Sequence, residues 1–464
     1  MAGTFSSLST ALSALRYNRV AMDVASGNIA NVGTDGYVRR RVNGESVGAP
    51  VRPAMWARYD GAGDGVTATG VDRMVDALLD VRARREHGKQ SYLDIRQTVL
   101  ERVESGIGEP GDNGVGAAIA DFRTAWHDLV NNPGSDAARA QVLGRAATLA
   151  DAIRIQSRNV EAESGDLRMR ALADVAEVNT LASDLASTNR SIAVANLNGA
   201  DAGVLLDKRD QLALRLSELT GATTTQRPDG GFDVAVNGVS LVTGASSGTF
   251  QIASGITAAG ASDGNPIAYS ITDSSGTTAV PAGLTGELGG VTDLLSTTLP
   301  AYSAGLGAIA QQLADEINAQ HQAGYDAAGN PGAAFFSYNP ADPAGTLAVA
   351  LTDPSQVAAS SLPGGVLDAG NADALATATG VEESYQRLIN GFGTEVASVK
   401  RLTANQQVLT GQVDNSREQL SGVNLDEEMV SMLSSQRAYE AASRVMTTLD
   451  SVLDTLINRT GLVH

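Results

Sequence analysis

The chain has 464 residues, of which 43% are hydrophobic but only 4% aromatic, no cysteine, and a formal net charge of −19. Disulfides and thiolate metal centres are excluded, and so acidic a chain is a poor partner for nucleic acid, whose affinity comes mainly from phosphate neutralisation. The length suits about two to four domains, with a core of small and aliphatic side chains.

The charge is uneven. Residues 1–100 hold 13 Lys+Arg against 10 Asp+Glu, leaving 20 against 42 for the rest. The segment Met1–Val20 lacks the basic start and uninterrupted apolar stretch of a secretory signal, and no apolar run reaches the roughly 18 residues needed to span a bilayer. We expect no membrane partner. Export by a route that uses no such signal stays open.

In the first 32 residues Leu8, Leu12, Leu15, Met22 and Ile29 recur in steps of three and four, the mark of an amphipathic helix with heptad-like spacing. It ends at Asn31-Val-Gly-Thr-Asp-Gly36, where Asn and Gly favour helix termination. Short strands or extended loops are expected near 39–70, including Ala54–Tyr59, with Arg39-Arg40-Arg41 solvated or at a strand edge. Helices are expected near 71–103, 114–131, 135–163, 165–197 and 203–220. In the fourth, Val175, Val178, Leu181, Leu185 and Ile192 form one stripe. Several such helices in series predict an elongated antiparallel bundle.

Thr, Gly, Ser and Val dominate residues 222–283, with period-two alternation at Phe232–Val236 and hairpin signals at Asp229-Gly230 and Asn237-Gly238. Helices return near 284–297 and 301–322, divided at Pro300, and short strands follow in 323–370. One long helix is expected over 372–420, with Val381, Tyr385, Leu388, Phe392, Val396, Val399 and Leu402 on one face. The last 40 residues mirror the first. Leu425, Met429, Met432, Leu433, Tyr439, Met446, Leu449, Leu453 and Leu456 form a second stripe, with Asp426, Glu427 and Glu428 in its first turn.

The fold class read from this is mainly α with a β-rich insert. Residues 1–38 and 422–464 are terminal helices that pair as a coiled-coil layer. Residues 39–221 and 372–421 make an elongated helical bundle, and 222–371 a β-rich middle domain with embedded helices near 284–322.

Catalytic patterns fail on context. Gly244-Ala-Ser-Ser-Gly248 matches the serine-hydrolase pattern, but strands flank it on both sides, whereas a nucleophile elbow joins strand to helix. Gly61-Ala-Gly-Asp-Gly65 lacks the lysine of a phosphate loop, and Asp326–Asn330 lacks EF-hand spacing. The four histidines, His87, His127, His321 and His464, suggest no metal-binding helix face. Leu206-Asp-Lys-Arg-Asp210 reads as a helix with surface ion pairs worth a few tenths of a kcal/mol. We expect no catalytic residue, cofactor or metal.

Two segments carry a resemblance. Ser26–Tyr37, with Asn28, Asn31, Thr34, Gly36 and Tyr37, resembles the N-terminal signature of the flagellar rod, hook and hook-associated axial proteins. Ser421–Met429, with Asn424, Leu425, Asp426, Glu427 and Glu428, continued through Gln436–Tyr439 and Asp454–Asn458, resembles their C-terminal signature. Leu205–Leu212, Ile317–Tyr325 and Gly332–Phe336 resemble the hook-associated protein 1 branch.

The resemblance implies a structural subunit that leaves the cell by type III export and joins the hook to the filament, in the extracellular flagellum. It implies terminal helices that are disordered in the free monomer and form an inner tube on assembly. The implied partners are further copies in a ring or tube, hook protein on one side, hook-associated protein 3 on the other, an export chaperone near the C-terminus, and the export apparatus. A neighbouring axial protein is the nearest alternative, and a secreted coiled-coil adhesin or effector a more distant one.

Overall fold

The computed structural model describes residues 2–47, 65–111, 114–365 and 367–458. Helix α1 (Ala2–Ala30) leads into a hairpin of β1 (Arg40–Ser46) and β2 (Val66–Arg73), antiparallel with Arg40 opposite Arg73. The segment Ala54–Tyr59 lies outside the described residues. Because β2 reaches Arg73, the next helix starts later than the sequence suggests. Asp76 caps α2 (Ala77–Ile107), its carboxylate accepting the Leu78 and Leu79 N–H groups.

Then come α3 (Val115–Asn131), α4 (Asp136–Leu197) and α5 (Gly203–Thr220). The two helices expected over 135–163 and 165–197 are one. At 62 residues, α4 spans about 90 Å at 1.5 Å per residue. Gly165 costs roughly 1 kcal/mol inside a helix, but Val160 and Leu167 on either side of it are buried, and the Ser164 hydroxyl bonds back to the Val160 carbonyl without breaking the turn.

Two antiparallel sheets follow: β3 (Thr223–Gln226), β4 (Phe232–Val236), β5 (Val239–Thr243) and β6 (Ser246–Ser247), then β7 (Thr249–Ser254), β8 (Ala268–Thr272) and β9 (Thr278–Ala279). Asn237 and Gly238, both at positive φ, turn β4 into β5. The Gly244–Gly248 stretch turns β5 into β6, strand to strand.

Helix α6 (Glu287–Asp293) does not stop before Pro300. It widens into a π-helical turn (Leu294–Thr298) and continues as α7 (Leu299–Gln322). Proline lacks an N–H and clashes in a helix interior; the wider turn gives it room, and it sits in the first turn of α7. After β10 (Phe336–Ser337), α8 (Pro343–Thr346) and β11 (Ala348–Val349), the helix expected over 372–420 is split into α9 (Gly370–Ala376) and α10 (Gly380–Ser421). The Thr377 hydroxyl donates to the Asp373 and Ala374 carbonyls at the end of α9. Helix α11 (Leu425–Asn458) packs back along α1.

The spine α4 serves two cores. Its C-terminal half joins Val99 and Leu100 of α2, Leu216 of α5, Val234 and Val242 of the first sheet, Phe250 and Ile271 of the second, and Phe392 and Val396 of α10. Its N-terminal half joins Phe122 and Trp126 of α3, Leu313 of α7, Phe335 and Phe336, and Tyr385 of α10. Val381 to Val399 of the α10 stripe are buried or partly buried, whereas Leu402 is exposed. The molecule exposes 24046 Å², against about 16,000 Å² for a compact monomer of its 47.6 kDa. An elongated shape and uncovered helices at the chain ends contribute to the surplus.

Candidate functional site

The two signature segments, some 400 residues apart, meet. Asn28 lies in the last turns of α1 with none of its surface exposed. Its Nδ2 donates to the Arg40 carbonyl and to Glu428 Oε2, both at 2.9 Å. Its Oδ1 accepts from the Tyr37 hydroxyl at 2.9 Å and the Arg40 N–H at 3.0 Å. One amide thus spends all its capacity on joining α1, the start of β1 and α11. Beside it, Arg39 donates from Nε to Glu428 Oε1 at 2.7 Å and from Nη1 to Glu427 Oε2 at 2.9 Å, and its N–H donates to the Ser421 carbonyl. Glu428 is almost fully buried, so its bond from Arg39 matters more than the exposed pair with Glu427.

The other signature residues shape this clasp. Asn424 Oδ1 accepts the Asp426 and Glu427 N–H groups, which caps α11. Asn31 donates to the Gly27 carbonyl, and the Thr34 hydroxyl donates to Asn31 Oδ1. Gly36 has φ +73°, and a Cβ there would overlap the Gln211 side chain. Burial raises the Tyr37 phenol above its ordinary pKa, with Arg40 opposing.

A second set of ion pairs ties the clasp to the body. Arg73 donates to Asp207 Oδ1 at 2.9 and 2.6 Å and to Asp210 Oδ2 at 2.8 Å. Arg40 reaches Asp201 and Asp207, each at 3.4 Å, and stacks over Tyr37. Gln211 donates to the Asp35 carbonyl. Two sequence readings need correction. Arg40 does open a strand of a two-stranded sheet, but Arg39 and Arg40 are ion-paired rather than freely solvated, because the folded chain brings carboxylates of α11 and α5 to them. Asp207 and Asp210 are not simple surface pairs: they hold arginines of the hairpin, and burial raises the Asp207 carboxyl despite Arg73 and Arg40. Neither contact was visible in local spacing, because each joins residues more than 130 positions apart.

The stripe residues are placed unevenly. Ala11 and Ala25 are the fully buried apolar positions of α1; Leu8, Leu15, Met22 and Ile29 are half-buried and Leu12 is exposed. On α11, Met432, Met446, Leu449 and Leu453 are half-buried, whereas Leu425, Met429, Leu433 and Tyr439 are exposed, with Val430, Val445 and Val452. The side chain of Leu456 lies outside the described residues. Among the described side chains of α1 the buried apolar positions are thus small ones, and much of the large apolar surface of α11 faces outward.

Among the described residues no cluster of His, Asp and Glu could hold a metal ion, and no helix is long and apolar enough to cross a membrane. His321 is fully buried, its Nδ1 donating to the Ala333 carbonyl at 2.7 Å and its Nε2 accepting the Ala358 N–H at 2.8 Å. It is a packing residue with both ring nitrogens used.

Residues 100–336 match the model of the flagellar hook-associated protein FlgK helical domain. Residues 8–37 match the flagella basal body rod protein model, and residues 417–459 that of the flagellar basal body rod FlgEFG protein C-terminal region. Flagellar hook-associated protein 1 of Bacillus subtilis (strain 168) is 28% identical over 510 residues, covering 100% of this chain and 99% of the relative. That of Escherichia coli (strain K12) is 25% identical over 553 residues, covering 97% and 99%. The fold is similar to that of the flagellar hook junction protein FlgK from Burkholderia pseudomallei, with TM-score 0.62 and 17% identity over 73% of this chain and 99% of that one. The matched helical domain takes in just over half of the sequence, and the chain belongs to the FlgK family of flagellar hook-associated proteins.

Proposed function

We propose that this chain is a structural subunit of the bacterial flagellum that joins hook to filament. It works by packing rather than by chemistry. The observation that carries the reading is the outward apolar face of α11, Leu425, Met429, Val430 and Leu433, on a helix pair that the Asn28 clasp holds at one angle to the body. Covering one such half-exposed side chain contributes about 1 kcal/mol, so a ring of copies gains at every subunit what a monomer leaves in water.

On this reading residues 1–38 and 422–464 assemble the inner layer, 39–221 and 372–421 form the body, and 222–371 is the insert mounted on it. The partners are further copies of the chain, hook protein on one side and hook-associated protein 3 on the other. The chain reaches them through the type III export apparatus, with an export chaperone near its C-terminus, and acts outside the cell. The absence of cysteine suits a chain threaded out unfolded.

Deleting the gene tests the role: hooks without filaments, with flagellin shed into the medium, are expected, and normal filaments would overturn it. A chain carrying Leu425→Asp and Met429→Asp should fold, since both positions are exposed, yet fail to restore filaments to the deletion strain.

A further inference from the structure

One buried charge is left over by the clasp and the cores. Arg84, on α2, is 7% exposed. Its guanidinium carbon lies 5.2 Å from the Phe232 ring centroid, and it has no hydrogen-bond or ion-pair partner among the described residues. A guanidinium carries five donors and is expensive to bury unpaired. Burial pulls Arg84 below the ordinary arginine pKa.

Arg84 lines a cavity of about 640 Å³ between α2, the base of the β1–β2 hairpin, the C-terminus of α4 and the start of α5. The carboxylates in its wall are already used. Asp80 accepts from Arg417, Asp201 from Arg40, Asp210 from Arg73 and Arg209, and Asp72 from Asn43. Arg209, 3.8 Å from the same Phe232 centroid, has Asp210 and the Gly230 carbonyl. The cavity therefore has an aromatic ring and an arginine whose donors make no hydrogen bond among the described residues, with Asp210 and Asp80 acting on that arginine only through space.

One side of its mouth is apolar: Leu78 (82% exposed), Val81 (51%) and Val75 (40%) line it. A lone small anion needs neither that volume nor that apolar side. A buried arginine and aromatic flanked by exposed aliphatics has the composition of an interface centre.

We infer that this cavity is a socket between subunits, filled by the start of α11 of a neighbouring copy of this chain, with Asp426 pairing to Arg84 and Leu425 and Val430 covering Leu78 and Val81. Two facts favour a copy. With 52 acidic against 33 basic residues, this chain's surface is a rich source of carboxylates, and exposed Asp426 stands one helical turn from exposed Val430. Socket and plug also lie at one level of the molecule. Arg40 is in the cavity wall, and the preceding residue, Arg39, holds Glu427 and Glu428 of α11. Copies placed side by side present one to the other. The inference rests on the assembly role proposed above.

The chain has no cysteine, so introduced thiols are unique. Full chains carrying Leu78→Cys and Leu425→Cys are expressed together in the deletion strain, and the assembled flagella are treated with a short thiol cross-linker. The expected product is a covalent pair joining the two variants. Arg84→Gln should lower the fraction of cells holding filaments about tenfold, the effect of losing one charge-assisted pair, with Arg84→Lys falling less. Leu78→Asp, at an exposed position that keeps the fold, should act like Arg84→Gln. No cross-link in assembled flagella, a cross-link only to a different protein, or normal filaments with both Arg84→Gln and Leu78→Asp would each overturn the socket. Those results leave the assembly role standing; normal filaments in the deletion strain would remove the assembly role itself.

Discussion

Asn28→Asp changes one nitrogen to oxygen and should open the clasp. The two acceptor bonds to Oδ1 survive. The atom that donated to the Arg40 carbonyl and Glu428 Oε2 becomes a carboxylate oxygen 2.9 Å from each. Two acceptors cannot share a proton that neither holds, and two carboxylates in a buried site cannot both stay charged cheaply. The cheapest remedy is to keep the introduced carboxyl protonated. At pH 7 that costs about 1.4 kcal/mol per unit above an ordinary pKa near 4, or about 4 kcal/mol. Trypsin reads the result, because Arg39, Arg40 and Arg41 follow α1 and the first two are held by the clasp. Cleavage there tracks the open population, so it should rise by up to about a thousandfold at neutral pH. Adding Glu428→Gln supplies an amide donor where the oxygens repel, and should recover all but the roughly 1–2 kcal/mol of the unpaired Arg40 carbonyl. Cleavage of Asn28→Asp at the parent rate, or a double variant no slower to cut than the single one, would refute the reasoning.

The other predictions concern stability. Burial lowers the His321 pKa, so the unfolded chain takes up a proton before the folded one; stability should fall as pH drops below about 6.5, by up to about 1.4 kcal/mol per pH unit, and urea titrations of the parent and His321→Gln should diverge there. Asp174 is the reverse case: burial, with Glu287 nearby, raises its carboxyl to about 7, and its Oδ2 has no partner. The unfolded chain ionises from about pH 4 while the folded one keeps its proton, so Asp174→Asn should stabilise at pH 7 by about 1–3 kcal/mol and make no difference at pH 3, by the same titration. Gly36→Ala should cost about 1–2 kcal/mol from strain and overlap with Gln211, more than Gly199→Ala, whose Cβ would meet open space at a similar φ; thermal midpoints separate the two.

The terminal helices were legible because apolar steps of three and four residues persist over whole helices. The Asn237-Gly238 hairpin was legible because its turn chemistry is local. Three features were not. The length of α4 depends on two cores that hold Gly165 from both sides, which no window of the sequence contains. The passage through Pro300 depends on a π-helical turn, whereas proline by itself signals a stop. The clasp was half legible: the resemblance picked out Asn28, Tyr37, Glu427 and Glu428, but not that they touch. Arg39, Arg73 and Asp207 were missed as its supports, because their partners come from other parts of the chain.

The contact between Asn28 and Glu428 closes a loop of about 400 residues. By loop-closure entropy this costs about 3 kcal/mol more than closing a ten-residue turn, and it cannot begin until the last helix exists. On this entropy the clasp is expected to form late in folding, once the intervening chain has brought the two ends together. A subunit broken or misfolded in the middle would present its two ends at the wrong distance and leave the apolar face of α11 unaimed. On the assembly role proposed above, the joint would also serve as an inspection step, at the cost of that loop closure.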